Sequence, residues 1–348
     1  MNHKYYSTNG ATSDTINSYC KQFYIKEYEK DDNTLDYCYN GYDIYYNLDD
    51  ECIELYDLFQ NNIFSSTDDY YYYLSMLPIG ITEGGLNSDC AISKENFEKY
   101  FCNHIRNLYK FSSNFVCEYN SYINKMDNLK YYYAYLADCQ SLINTLQELI
   151  LSSKNSFVYF YKYLSEVPIM FNFKEIYFSI TNEGRLVFNM ASNLIITLYS
   201  IFDILTKICY ELEHIKDCSE NYPKLSSSKI LYGDKKRLRN LDFKNTIFEE
   251  NKDLNMIISL RHELIHNATW EMAPKIFIDV KDKKNVKKFI FMPDFDENGH
   301  LIKYKNRNRF FNSEKKLNEE LPVLYMSILN LIYHTIKKIN STYVKKLS

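Results

Sequence analysis

Leu260-Arg261-His262-Glu263-Leu264-Ile265-His266-Asn267 sets an arginine, a glutamate and two histidines close together in an otherwise apolar helical stretch. Two spacings overlap in it. From His262 it reads His-Glu-x-x-His, which places two imidazoles one helical turn apart beside a carboxylate, a donor set that suits zinc. From Arg261 it reads Arg-x4-His. The apolar residues around it recur at helical rather than strand spacing, so the segment from Leu254 to Trp270 is expected to be a helix stopped by Pro274.

With residues placed about 100° apart around that helix and Arg261 at zero, Leu254, Ile257, Ile258, Leu264, Ile265 and Ala268 fall within roughly 60°. Arg261 is therefore expected at the centre of the apolar face. An always-charged guanidinium aimed into a bundle needs a carboxylate, a phosphate or an interface to meet it. His262 and His266 fall at about 100° and 140°, nearly one above the other, with Glu263 roughly 60° beyond His266.

The rest of the chain reads as mainly α. Its 348 residues are 46% hydrophobic and 25% charged, the composition of a folded protein, which excludes disordered and fibrous classes. Only eight Gly and six Pro disfavour Gly-rich phosphate loops and many-turned β architectures. The 35 tyrosines are read as a coding bias rather than as stacking platforms. Nine unclustered Cys with no C-x-x-C pair, and no signal-like start, point to reduced thiols and a cytoplasmic setting. No apolar run free of charge is long enough for a membrane span, so no membrane is expected.

Charge divides the chain. From Lys224 onward there are 25 Lys/Arg against 15 Asp/Glu, whereas residues 31 to 93 carry thirteen acidic side chains and no Lys or Arg. A basic half is a possible footprint of a nucleic-acid partner, and the acidic run reads as a solvated face, or as a mask over the basic half. The expected organisation is an acidic, Tyr-rich helical region over residues 1–165, followed by a helical bundle over 166–348 with a small antiparallel β excursion.

Helical spacing is expected over Asp50–Asn61, over two or three helices between Ser93, a good N-cap, and Tyr163, and most clearly over Asn189–His214. His104 and Arg106 read as structural. In the last of these helices Leu194, Leu198, Ile201, Leu205, Ile208 and Leu212 form the stripe, and Asp203 is its one anomaly, a carboxylate that is either on the free face or paired with a cation. The segment Phe173–Phe188 reads as the turn before this helix, with a short hairpin as the alternative. Tyr222–Lys244 reads as a basic surface linker. Three short strands are expected at 275–280, 287–292 and 300–304, with turns at 283–285 and 297–299. A final helix capped by Ser313 and kinked or restarted at Pro322 carries Leu324, Ile328, Leu331, Ile332, Ile336 and Ile339 inward.

The zinc spacing is the rarer of the two by chance, and Glu263 would activate a metal-bound water held by His262 and His266. That reading of a zinc metallopeptidase lacks a third ligand with a fixed place; Glu297, His300, Glu314 and Glu319 are only loosely placed.

The Arg-x4-His run with a polar residue directly after the arginine, late on a bundle helix, resembles the HEPN superfamily of ribonucleases. The preceding long helix with Asp203 and the closing helix add to the likeness, which covers about residues 185 to 348. The resemblance implies a metal-independent endoribonuclease with no cofactor, acting on RNA at a composite site between two protomers, in a toxin or defence role and with an antitoxin or other partner protein. It implies His266 as the base on the ribose 2′-hydroxyl and Arg261 as the stabiliser of phosphate charge. His262 stands at the variable polar position, with Asp203, Glu263 and Asn267 in support. HEPN members that bind RNA or nucleotides without cutting form the alternative.

Overall fold

Leu194, Leu198, Ile201, Leu205, Ile208 and Leu212 are all buried, and they form the spine of a helix running over Asn182–Glu213 in this computed structural model. The structure describes residues 3–5, 24–28, 35–38, 40–64, 132–170, 175–218, 225, 232–267, 274–281, 286–304 and 308–344. The elements in chain order are β1 (His3–Tyr5), β2 (Tyr24–Tyr28), β3 (Leu35–Cys38), α1 (Asn40–Ile63), α2 (Tyr132–Glu166), β4 (Ile176–Ser179) and α3 (Asn182–Glu213). A 3-10 turn at Tyr232–Arg237 leads to α4 (Lys252–His266), β5 (Ile276–Asp279), β6 (Lys287–Phe289), β7 (Lys303–Tyr304), β8 (Asn308–Arg309) and α5 (Leu317–Tyr343). The architecture is mainly α, as expected. The expectations for Ser93, His104, Arg106 and the 283–285 turn lie outside the described residues.

Packing is led by α2 against α3, with α1 held between α2 and α5, and α4 laid on α3 and α5. Along α2, Leu136, Cys139, Ile143, Leu146 and Ile150 recur three and four residues apart and are buried. One hydrophobic core contains residues of α1, α2, α3, α4 and α5 together. It therefore crosses the division expected between residues 165 and 166, because the apolar stripe of α2 finds its partner on α3. At the centre, the Tyr325 hydroxyl of α5 lies 2.7 Å from that of Tyr45 in α1 and 2.9 Å from Ser153 Oγ in α2.

Asn182-Glu183-Gly184 is the first turn of α3, where the Thr181 hydroxyl accepts the Gly184 N–H at 3.2 Å. The segment before it is a strand, and its partner is distant: β4 pairs antiparallel with β5, which pairs with β6. The third strand of the small sheet thus comes from before the motif helix, while residues 303–304 pair separately with 308–309.

The last helix does not restart at Pro322, and α5 runs through it without a break. Proline lacks the N–H that would bond to the carbonyl of Asn318, and the Tyr161 hydroxyl donates to that carbonyl instead at 2.9 Å. Nor does Ser313 cap the helix. The Asp294 carboxylate accepts the N–H groups of Asn312 at 2.8 Å and Ser313 at 2.9 Å, which holds Ser313 in the preceding turn. The stretch expected as a surface linker is anchored by Tyr232, which is buried among Tyr199, Phe202 and Phe248. By composition and length α3 could cross a membrane, but sixteen of its residues are buried in this fold.

Candidate functional site

Asn251 starts α4 by accepting the Asp253 N–H at 2.8 Å, and Asn267 ends it, its N–H bonded to the Glu263 carbonyl at 2.8 Å. Between them Leu254, Met256, Ile257, Leu260 and Glu263 are buried. The buried face is therefore centred about 100° from Arg261, on the side away from His262. Arg261 is half-buried on the flank rather than central, and Ile265, expected inside, is 48% exposed.

The cause of this rotation is Glu263, which is only 1% exposed. Its carboxylate is ion-paired with Lys303 of β7 and accepts the Asn267 side-chain amide at 3.1 Å. A helical wheel counts glutamate as a solvent residue, yet a carboxylate with a cation and an amide donor can be buried. Lys303 lies forty residues beyond Glu263, so no local pattern announced it.

Arg261 meets a ring. Its guanidinium carbon lies 4.5 Å from the centroid of Tyr199, one helical turn before Asp203 on α3. Burial, and then the Asp203 charge, push the Tyr199 hydroxyl up from its ordinary pKa, while Arg261 opposes them. Asp203 is raised by burial, against the pull of the Tyr232 N–H bond at 2.8 Å and of Arg261 and Lys207. Asp203 and Arg261 are thus electrostatic neighbours around Tyr199, and no ion pair within 4.0 Å joins them among the described residues. The sequence allowed a cation beside Asp203 and gave one signal for Tyr199, its position four residues earlier on the same face.

His262 and His266 are exposed, with ring centroids 4.6 Å apart and planes at 49°. They stand one above the other, as their i, i+4 spacing requires. Of the six residues singled out, Arg261, His262 and His266 share one open flank of α4. Glu263 lies on its buried side, where the side chain of the exposed Asn267 reaches it, and Asp203 stands behind Tyr199. Of the loosely placed third ligands, His300 lies 3.7 Å from Asp296 and Glu319 pairs with Lys316 at 3.2 Å. Among the described residues, no three His, Cys, Asp or Glu side chains gather into a group that could hold a metal.

The flank thus combines a permanent cation, braced from behind by an aromatic face, with two imidazoles able to give and take protons. Comparison of the chain with protein-family models, with curated proteins and with solved structures finds no match.

Proposed function

We propose that this protein is a metal-independent endoribonuclease of HEPN type. The observation that carries the reading is the sorting of the motif: Arg261, His262 and His266 share an open flank, while Glu263 is buried against Lys303. A zinc peptidase would need Glu263 beside the water bound between the two imidazoles, and a buried ion pair with a lysine of β7 is the wrong place for that base.

In the proposed reaction the neutral imidazole of His266 takes the proton of a ribose 2′-hydroxyl, and the 2′-oxygen attacks the adjacent phosphorus. The bond from phosphorus to the 5′-oxygen breaks, and the leaving oxygen takes a proton from the imidazolium of His262. The products are a 2′,3′-cyclic phosphate and a 5′-hydroxyl, with no net change in protons. Arg261 faces the non-bridging oxygens as charge accumulates there, and stacking on Tyr199 fixes its plane before substrate arrives. A second copy of the chain is proposed to complete the cleft. Ile265 supports this, as an exposed apolar side chain between the histidines on the same turn.

The test is cleavage of end-labelled single-stranded RNA by the full chain in the presence of a chelator. Arg261→Gln and His266→Ala are each expected to lower the rate by about a hundredfold or more, and the product should carry a cyclic phosphate. Tyr199→Leu is expected to lower the rate at saturating RNA, and Tyr199→Phe to restore it. Stoichiometric zinc in the purified protein, with activity lost in His262→Ala but not in Arg261→Gln, would establish the peptidase instead. RNA binding without cleavage would establish a non-catalytic module, the reading favoured by one observation: among the described residues, no hydrogen bond orients the His266 ring.

A further inference from the structure

The sheet β4–β5–β6 buries one face and opens the other. Ser179, Ile276, Ile278 and Lys288 alternate inward, and Ile176, Phe178, Phe277, Phe289 and Phe291 alternate toward the other face, where Phe289 is covered and Phe178 stands open. The four rings touch in a chain. Phe277 stacks on Phe289 at 5.6 Å and 15°, and meets Phe291 edge-on at 4.8 Å and Phe178 at 6.4 Å. Phe178, on the edge strand, is 56% exposed, and Ile176 and Ile180 beside it are also exposed.

Cations frame these rings. The Lys316 ammonium lies 5.1 Å from the Phe289 centroid, and Lys287 sits on the same face opposite Asp279. Lys281, just past the end of β5, and Lys287, at the start of β6, are both exposed. Glu319 and Glu320, the acids at the other rim, are paired with Lys316 and Lys315. The buried centre of a protein–protein contact is depleted in lysine, whereas a strand of nucleic acid needs exposed ring faces flanked by cations for its phosphates.

We infer that this sheet face is a stacking platform for single-stranded RNA, with bases laid on Phe178 and Phe277 and the backbone tracking toward Lys281 and Lys287. The choice of RNA rests on the ribonuclease reading above; the platform adds where the strand lies. Phe178 offers an open ring face and Phe277 is fixed in orientation by three ring neighbours. The grip is sequence-tolerant, because every base has a π face.

The probe is a fluorescein-labelled oligouridine with 2′-O-methyl riboses, which 2′-hydroxyl attack cannot cleave, bound to the full chain and followed by anisotropy. Phe178→Ala is expected to raise Kd about tenfold, Phe178→Leu to behave like Ala, and Phe178→Tyr to stay near wild type. Lys287→Gln is expected to weaken binding and flatten its salt dependence. Phe178 is exposed, so thermal unfolding of these variants should match wild type. The platform is overturned if wild type does not bind the oligonucleotide, if Phe178→Ala binds as wild type does, or if Phe178→Leu binds as well as Phe178→Tyr. It is also overturned if Phe178→Asp changes the sedimenting species while RNA affinity holds, because the face then belongs to a protein interface. Cleavage of unmodified RNA that is indifferent to Phe178→Ala sinks the platform and spares the nuclease. Binding that depends on Phe178 with no cleavage does the reverse.

Discussion

Replacing Lys303 with methionine should destabilise the protein more than replacing its partner Glu263 with glutamine. The two ends of the pair are unequally buried, with Glu263 1% exposed and the Lys303 side chain 25% exposed. Lys303→Met strands a carboxylate in the interior, and breaking a buried pair in this way costs about 3–5 kcal/mol. The Asn267 amide still donates to the carboxylate, and a bond to a charged group offsets roughly 1.5 kcal/mol. The expected loss is about 2–3 kcal/mol. Glu263→Gln keeps an acceptor for Asn267 and leaves an ammonium on a flexible stem that can reach water, so about 1 kcal/mol is expected. The double variant removes both charges and should cost less than the two singles together, by on the order of 2 kcal/mol. Urea unfolding followed by circular dichroism measures all three. A Lys303→Met variant no worse than Glu263→Gln, or singles that add within about 0.5 kcal/mol, would refute the assignment of Glu263 to the fold. If Glu263 were the base of a zinc centre, Glu263→Gln would abolish activity with little change in stability.

Burial pushes the Lys288 ammonium down to about 8 from the ordinary 10.5, although it is bonded to the Ser165 carbonyl at the end of α2. The unfolded chain then holds more protons between pH 8 and 10.5, so this lysine's contribution is present above that window and is lost as pH falls through about 8. Buried thiols such as Cys52, raised to about 12, act in the opposite direction. The quantity to measure is therefore the stability of wild type minus that of Lys288→Met, which should rise with pH across the window; a flat difference would count against the burial. Gly299 has φ +85°, and a Cβ there would run into the Lys252 carbonyl oxygen. Gly299→Ala should cost about 2–3 kcal/mol in urea unfolding by lifting the 296–300 turn off the start of α4, and a loss under about 0.5 kcal/mol would show that the turn is free to move.

The helices were legible because each buries a continuous stripe: the six apolar positions read along Asn189–His214 are buried, as are five of the six along α5, with Leu331 half-buried. The 297–299 turn was legible from Asn298-Gly299, since the left-handed backbone at Gly299 is one that side chains rarely adopt. What escaped depends on partners far along the chain. The pairing of β4 with β5 spans about a hundred residues, and nothing local in Ile176–Ser179 specifies it. Within the unbroken run of α5, the Asn318 carbonyl that Pro322 leaves without an N–H takes a hydroxyl supplied by Tyr161. At the site, the i, i+4 relation of His262 and His266 was fixed by helix geometry alone. The rotation of α4 was not, because it is set by Lys303, and the brace on Arg261 belongs to another helix.

The meeting of Tyr45, Ser153 and Tyr325 hydroxyls at the centre of the core bears on how this chain can be handled and how it can have been assembled. A fragment beginning at residue 166 would lose both partners of the Tyr325 hydroxyl and bare the faces of α3 and α5 that α1 and α2 cover. Such a fragment is expected to aggregate rather than to report on the flank of α4. Asking whether the acidic region masks the basic half therefore calls for charge reversal on the intact chain rather than truncation. By the same logic, α1 and α2 are not a detachable module, because the core of the bundle closes only when they are present.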